Sequence, residues 1–184
     1  MHQVDSIESL KINPVENKSI NNCPILTARN LVIRPLSTND APAIFKLRSH
    51  PGINKFLGRQ LCKSPTEASA FIENVISNNL YYWAITPKEN DELIGAICLF
   101  NLSAELKKCE IGYELLPDFQ GQGIMYTAAK KIADFSHTEL GMKIIDAYTH
   151  KNNESSINML RKLDFVPVVA ADKENLILFR LEFT

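Results

Sequence analysis

Two closely spaced glycines, Gly121 and Gly123, lie between an apolar strand-like run and a helical pattern that begins at Ile124. Glycine lets the backbone approach a ligand without an intervening side chain. Several N–H groups at a helix start have no helical acceptor, and the helix dipole is positive there. Residues 120–125 are therefore predicted to hold a pyrophosphate group. An ordinary tight turn before a helix is the structural alternative.

The spacing of these glycines separates three kinds of phosphate-binding turn. A Walker loop needs Lys followed by Ser or Thr after its second glycine, whereas Ile124 and Met125 follow Gly123. A dinucleotide-binding turn needs a third glycine where Tyr126 stands, and a parallel strand before the turn. The pattern that remains is Gln-x-x-Gly-x-(Gly/Ala), formed by Gln120, Gly123 and, imperfectly, Met125.

The elements that position this turn follow from capping signals and hydrophobic periodicity. Ser64-Pro65-Thr66-Glu67 is a capping box with proline at the first helical position, so a helix begins there. The other predicted elements are a strand at 31–36, a helix after Asn39 or Asp40, strands at 81–86, 93–102 and 109–116, a helix at 124–140, a strand at 144–149, a helix near 155–163 and strands near 165–169 and 176–183. The middle three strands favour an antiparallel meander. The order predicts an α/β or α+β mixed sheet with a parallel pair around the helix that begins at Ile124.

Composition limits the class of protein. The chain has 184 residues, 45% of them hydrophobic, and a formal net charge of −1. A chain of this size buries a core without a disulfide or metal staple, and no metal site is predicted. The balanced charge provides no field that would hold a polyanion, so no nucleic-acid partner is expected. The four cysteines form no C-x-x-C pair and are interpreted as reduced thiols.

The chain also shows no targeting or membrane signal. Its first residues lack the basic start and apolar run of a signal peptide, and no apolar stretch approaches the roughly 18 residues that span a bilayer. The predicted location is the cytoplasm, without a membrane partner. Residues 1–26 are polar and are predicted to form an N-terminal extension, followed by one domain over 27–184.

Several motifs in fixed order resemble the GNAT superfamily of acyl-CoA-dependent N-acyltransferases, and within it the ribosomal-protein-alanine N-acetyltransferase (RimJ/RimL-like) subfamily. The motifs are Leu-x-Ile-Arg-Pro-Leu at 31–36 with Asp40 after it, Ile-Gly-Ala-Ile at 94–97, Ile-Gly-Tyr-Glu-Leu at 111–115, Gln-Gly-Gln-Gly-Ile-Met at 120–125, and Asn153 and Ser156 before Leu-Arg-Lys-Leu-x-Phe at 160–165. Two positions depart from the family pattern. Met125 replaces a small residue, and Asp164 replaces a common glycine at a left-handed position that Asp tolerates.

The resemblance implies a central, mostly antiparallel sheet with a splayed parallel pair and flanking helices, and acetyl-CoA as the co-substrate. The residues that it assigns to acetyl-CoA are the turn residues Gln120, Gly121, Gln122, Gly123, Ile124 and Met125, the strand residues Leu115 and Leu116, and the helix residues Asn153 and Ser156. A strand edge left open by the splay offers N–H and C=O groups that match the amides of the pantetheine arm.

The resemblance also implies catalytic roles. Attack of an amine on the acetyl thioester requires removal of a proton, stabilisation of an oxyanion and a donor for the departing thiolate. Glu110 lies within one residue of the family's general base, and the N–H of Leu116 is the candidate oxyanion donor. Leu160 stands where many members have a tyrosine that acts as the general acid, so Ser156 is the expected substitute for that acid. Glu110 also fits a solvated strand face, and Ser156 and Asn153 fit a helix cap.

By resemblance, the function is transfer of the acetyl group of acetyl-CoA to a primary amine, most like the enzymes that act on protein N-terminal α-amines. Two alternatives stay open: the same fold acting on a small amine (a polyamine, an amino sugar or an amino acid), or a non-catalytic acyl-CoA-binding regulatory module. The resemblance favours a homodimer. The acceptor pocket is expected in loops near 50–64 and 170–175, where family members differ.

Overall fold

A computed structural model describes residues 23–168 and 175–184 of the chain. Its elements, in chain order, are β1 (Leu26–Ala28), β2 (Leu31–Pro35), α1 (Ala41–Ser49), α2 (Pro51–Asn54), α3 (Pro65–Ser77), β3 (Tyr82–Pro87), β4 (Gly95–Ser103), β5 (Lys108–Leu115), α4 (Ile124–Thr138), β6 (Ile144–His150), α5 (Glu154–Lys162), β7 (Val166–Pro167) and β8 (Leu176–Glu182). Single 3-10 turns precede α1 and follow β5. Most of the predicted extension and most of the predicted loop near 170–175 lie outside the described residues.

The eight strands form one sheet in the order β1-β2-β3-β4-β5-β6-β8-β7. The recorded pairings are antiparallel except for β5 and β6, which are parallel. Parallel pairing runs from Lys108 opposite Ile144 to Glu110 opposite Asp146, although β5 continues to Leu115 and β6 to His150. The two strands therefore separate after Glu110, and the predicted mixed sheet with a splayed parallel pair is confirmed.

Each face of the sheet carries its own hydrophobic core. One core packs α4 and α5 against alternate residues of β5, including Cys109, Ile111 and Leu115. The other core packs α1 and α3 against β3 and β4. Because successive strand residues point to opposite faces, Glu110 and Glu114 lie on the α3 side of β5. No helix among the described residues is long and apolar enough to cross a membrane.

The predicted N-cap opens α3, whereas the predicted cap residue Asp40 makes no side-chain hydrogen bond to α1 and forms an ion pair instead. At the start of α3, the Ser64 hydroxyl accepts a hydrogen bond from the Glu67 N–H (3.2 Å), and the Glu67 carboxylate accepts one from the Lys63 N–H (2.8 Å). Before α1, the Arg34 guanidinium donates two hydrogen bonds of 2.8 Å to the buried Asp40 carboxylate. This bidentate pair connects β2 to the turn that opens α1.

Two elements were not predicted. Strand β1 begins at Leu26, and before it Cys23 is buried and the Pro24 carbonyl accepts a hydrogen bond from the Trp83 indole (3.0 Å). The last residues assigned to the extension are thus part of the fold. Helix α2 begins at Pro51 and spans four residues, too few to show a hydrophobic period.

Candidate active site

A pocket of about 490 Å³ lies beside the end of β5. One wall is formed by α2 and the residues that follow it, including Phe56 and Leu57, and the opposite wall by α5. The turn after β5 and the first residues of α4 form its base. Most residues that the sequence assigns to acetyl-CoA line this pocket: Leu115, Gln120, Gly121, Gly123, Ile124, Met125, Asn153 and Ser156.

The turn at 120–123 has the geometry of a phosphate cradle. Gly121 and Gly123 have φ of 74° and 75°, in the left-handed region that side chains disfavour, and a Cβ on either would meet nothing within 4 Å. The first recorded hydrogen bond to the α4 N-cap runs from the Thr127 N–H to the Gly123 carbonyl (3.0 Å), so the N–H groups just before Thr127 have no helical acceptor. The Gln120 side chain braces the turn by donating to the Leu115 carbonyl (2.9 Å). These features fit a pyrophosphate group.

Two predicted cofactor residues lie outside the lining. Gln122 is exposed, and its side chain donates to the Asp118 carbonyl (2.9 Å). The Leu116 N–H donates to the Ile94 carbonyl (2.9 Å), so that group is already used in a backbone hydrogen bond to the residue before β4. The structure therefore does not support Leu116 as the oxyanion donor. Because N–H groups alternate in direction along a strand, those of Leu115 and Tyr113 point toward the gap between the separated ends of β5 and β6.

The first turn of α5 brings two predicted residues to the pocket. The Asn153 side chain accepts a hydrogen bond from the Ser156 N–H (3.3 Å), which caps the helix. The Ser156 hydroxyl lies 2.8 Å from the Tyr113 hydroxyl of β5. Burial raises the pKa of Tyr113 to about 12, against the opposing effect of the Ser156 hydrogen bond. Leu160 is buried in the core, so its position supplies no hydroxyl to the pocket.

The two carboxylates on the α3 side of β5 have different surroundings. Glu110 is half-buried at the last parallel pair, accepts a hydrogen bond from the Asn101 amide (3.0 Å) and does not line the pocket. Glu114 lines the pocket, four residues or roughly 13 Å farther along the strand. Glu114 is buried, forms an ion pair with Arg59 and accepts a hydrogen bond from the Tyr82 hydroxyl (2.9 Å).

Arg59 joins the segment after α2 to this strand. Its Nε donates to the Asn54 side-chain oxygen (2.6 Å), and the Asn54 amide donates to the Leu47 and His50 carbonyls (2.8 Å each). Burial alone would lower the pKa of Arg59, but the Glu114 carboxylate outweighs it and raises that pKa. No local pattern in the sequence predicts this contact, because the two residues lie 55 positions apart.

A second charged cluster lies where β5 and β6 are still paired. The fully buried Asp146 carboxylate of β6 contacts the Lys108 ammonium of β5 (2.6 Å) and the Arg180 guanidinium of β8 (2.7 and 3.0 Å). Burial alone would raise the pKa of Asp146, but the hydrogen bonds from Arg180 and Lys108 outweigh it and hold that pKa below its ordinary value. The cluster fastens three strands just before the gap opens.

A sheet with one splayed parallel pair, and a glycine turn at the end of the splayed strand that fits a phosphate group, is the arrangement expected of an acyl-CoA-dependent transferase. The family model for the acetyltransferase (GNAT) domain matches residues 30–166, so the chain belongs to the GNAT acetyltransferase family. It is an acetyl-CoA-dependent N-acetyltransferase. Acetyl-CoA supplies an activated acetyl group at the thioester.

Similar proteins act on different kinds of acceptor. The chain is 29% identical to the uncharacterised N-acetyltransferase YoaA of Bacillus subtilis over 77% of this chain and 82% of that protein. It is 22% identical to the spermidine N(1)-acetyltransferase of Escherichia coli over 76% and 74% of the two chains. Its fold matches RimL, a ribosomal L7/L12 α-N-protein acetyltransferase solved with coenzyme A, with a TM-score of 0.74 and 18% identity over 86% of this chain and 98% of that one.

Proposed function

We propose that the acceptor is the α-amine of a protein or peptide N-terminus, and that the transfer occurs by direct attack in a ternary complex. The observation that carries the proposal is the charge of the pocket wall on the side of the expected acceptor loop at 50–64, where the lining residues are Gly52, Ile53, Phe56 and Leu57. Among the described lining residues, Glu114 is the one carboxylate, and it is neutralised by Arg59 and bonded to Tyr82. A polyamine carries several cations and would require free carboxylates along its length. A peptide N-terminus carries one ammonium group.

In this mechanism, the general base is Glu110, acting through a water molecule. Glu114 is the weaker candidate because both of its carboxylate oxygens already accept hydrogen bonds, one from Arg59 and one from Tyr82. Glu110 lies at the point where β5 and β6 separate, on the α3 side of the sheet. It removes one proton from the ammonium group, after which the amine lone pair forms the C–N bond. The nitrogen then loses a second proton to water, and the C–S bond breaks with its electrons on sulfur.

The remaining groups bind and orient. The turn at 120–125 holds the pyrophosphate, and Asn153 and Ser156 contact the pantetheine arm from α5. The N–H groups of Tyr113 and Leu115 face the gap, where they pair with the arm or stabilise the oxyanion. The Ser156 hydroxyl serves the departing thiolate. The base Glu110 and the thiolate donor Ser156 thus lie on opposite faces of β5. Glu110 approaches the amine from one side of the strand, and Ser156 approaches the sulfur from the other.

An acceptor screen tests the proposal. The purified protein is incubated with acetyl-CoA and with peptides bearing free N-terminal Ala or Ser, the same peptides with blocked N-termini, spermidine, amino sugars and free amino acids. We expect acetylation of the free peptides alone, located on the α-amine by fragmentation mass spectrometry. Turnover of spermidine or a sugar with none of the peptides would assign the chain to a small-amine branch. Turnover of none would overturn the proposed α-amine acceptor.

A further inference from the structure

The hydroxyls of Tyr113 and Ser156 form a partly buried pair on the pocket wall, 2.8 Å apart. They come from different elements, since Tyr113 belongs to β5 and Ser156 to the first turn of α5. The proposed mechanism uses the Ser156 hydroxyl and the Tyr113 N–H, and it gives the Tyr113 side chain no role. Each hydroxyl has one proton, so the direction of the hydrogen bond between them decides where the other proton points.

The acidities of the two groups set that direction. A phenol is a stronger acid than an aliphatic alcohol and the better hydrogen-bond donor, and the alcohol oxygen is the better acceptor. Tyr113 therefore donates to the Ser156 oxygen. The Ser156 backbone is fixed because its N–H is bonded to Asn153 (3.3 Å). With its oxygen occupied by Tyr113, the Ser156 hydroxyl turns its own proton away from Tyr113 and into the pocket.

We infer that Tyr113 is a positioning residue that aims the Ser156 O–H at the sulfur atom of the bound thioester. The inference rests on the proposed function, because it assigns the sulfur to this part of the pocket. Ser156 donates a hydrogen bond and keeps its proton. When the C–S bond breaks, its electron pair stays on sulfur, the O–H stabilises the new negative charge, and the proton that finally reaches sulfur comes from solvent.

A proton relay through the pair does not fit the environment of Tyr113. Burial raises the pKa of Tyr113 to about 12. An ordinary thiol has a pKa of about 8.5. Proton transfer from this phenol to a thiolate would therefore be strongly uphill. Stabilising a thiolate by an oriented hydrogen bond requires no such transfer.

The test is a titration of the thiol of bound coenzyme A, which needs no acceptor. Thiolate formation is followed by ultraviolet absorbance across pH in the full chain, in Tyr113→Phe, in Ser156→Ala and in the double variant. Tyr81→Phe is the matched control, because it removes one phenol from the absorbance signal at a residue outside the described lining. Ser156→Thr retains the hydroxyl. Coenzyme A affinity is measured for each variant by calorimetry.

We expect Ser156→Ala to raise the pKa of the bound thiol by about one unit, the value of one hydrogen bond to a charged group. Tyr113→Phe should raise it by roughly half as much, and the double variant should match Ser156→Ala alone. Ser156→Thr and Tyr81→Phe should titrate like the unmodified chain. Calorimetric affinity at neutral pH shows separately how much each variant weakens coenzyme A binding, and the thiol titration is made at saturating coenzyme A.

Three results would overturn the inference. If Tyr113→Phe left the pKa of the bound thiol unchanged while Ser156→Ala shifted it, Tyr113 would not orient the serine. No shift in either would show that Ser156 does not face the sulfur. Shifts that add in the double variant would show that the two hydroxyls act separately. Failure of the unmodified chain to bind coenzyme A would instead overturn the proposed function, and this inference with it.

Discussion

Glu110 and Glu114 share a strand face, yet we expect opposite consequences when each is replaced. Glu110→Gln removes the proposed base, so turnover should fall by about 10²–10⁴-fold, the range of general acid–base catalysis. Acetyl-CoA affinity should be nearly unchanged, because Glu110 lies outside the pocket lining. Steady-state kinetics and calorimetry measure the two quantities. An unchanged rate would remove Glu110 from the mechanism.

Glu114→Gln is the matched control for that variant. It replaces a carboxylate with an amide of the same shape and leaves the Arg59 guanidinium buried without its counter-charge. Breaking a buried ion pair costs of the order of 3 kcal/mol, so the midpoint of urea unfolding should fall. If Glu114→Gln instead abolished turnover in a stable protein, Glu114 would replace Glu110 as the base.

Asp146 makes the stability of the fold depend on acidic pH. Its folded-state pKa is depressed by Arg180 and Lys108, so its contribution is fully present above the unfolded-state pKa of about 3.9. That contribution is lost as pH falls through the lower folded-state value. Asp146→Asn should therefore cost about 1–3 kcal/mol at pH 7, and the difference should shrink below pH 4. Urea unfolding at several pH values measures this; a constant difference would contradict it.

At the scale of elements, Gly95 controls how closely β4 approaches β5. A Cβ at Gly95 would lie 2.7 Å from the Glu114 carbonyl and from the Leu115 side chain, so backbone must move. At Gly112 the nearest atoms belong to the Cys98 and Phe100 side chains, at 3.2 Å. We expect Gly95→Ala to cost about 1–3 kcal/mol and to weaken acetyl-CoA binding, and Gly112→Ala to cost less. Urea unfolding measures the loss of stability, and calorimetry measures the loss of affinity. Losses in Gly112→Ala as large as those in Gly95→Ala would contradict this account.

Local signals in the sequence predict the elements that carry local determinants. The Ser64 N-cap, the glycine turn before α4 and the left-handed Asp164 (φ 64°) are present as expected, whereas the Glu67 side chain bonds the Lys63 N–H and not the N–H of Ser64. Each depends on residues within a few positions of one another, where backbone geometry and side-chain chemistry suffice. The cradle of the site follows from these signals alone.

Long-range contacts decide what the sequence did not predict. The Arg59–Glu114 pair and the Tyr113–Ser156 pair connect residues 55 and 43 positions apart, which no periodicity reveals. The family resemblance implies the Leu116 N–H as oxyanion donor, but the direction of that N–H depends on how β5 pairs, and the hydrogen bond to Ile94 points it away from the gap between β5 and β6. The glycine turn of the site can therefore be predicted from the sequence, whereas the contacts between its distant residues can be identified only in the folded chain.

At the scale of the molecule, the two sides of the sheet contribute different groups to the gap between β5 and β6. The α4–α5 side supplies the phosphate turn and the hydroxyl pair. The α1–α3 side carries Glu110 and the Arg59-anchored segment after α2. The Asp146 cluster holds the strands together at the closed end of the gap. A ligand in the gap thus contacts structure from both faces, and its binding should stabilise the whole fold.

Thermal unfolding measures that coupling directly. A ligand that binds only the folded state at 100 times its Kd stabilises it by about 2.7 kcal/mol. For a chain of this size, each kcal/mol raises Tm by about 2–4 °C, so saturating acetyl-CoA should raise Tm by roughly 5–10 °C. NAD and ATP should produce smaller shifts, because they lack the pantetheine arm that the strand edge accepts.

Gly123→Trp places a bulky side chain at the open left-handed turn and should abolish the shift. A shift that survives in Gly123→Trp would locate the phosphate site elsewhere, and no shift in the unmodified chain would mean that the turn does not bind acetyl-CoA.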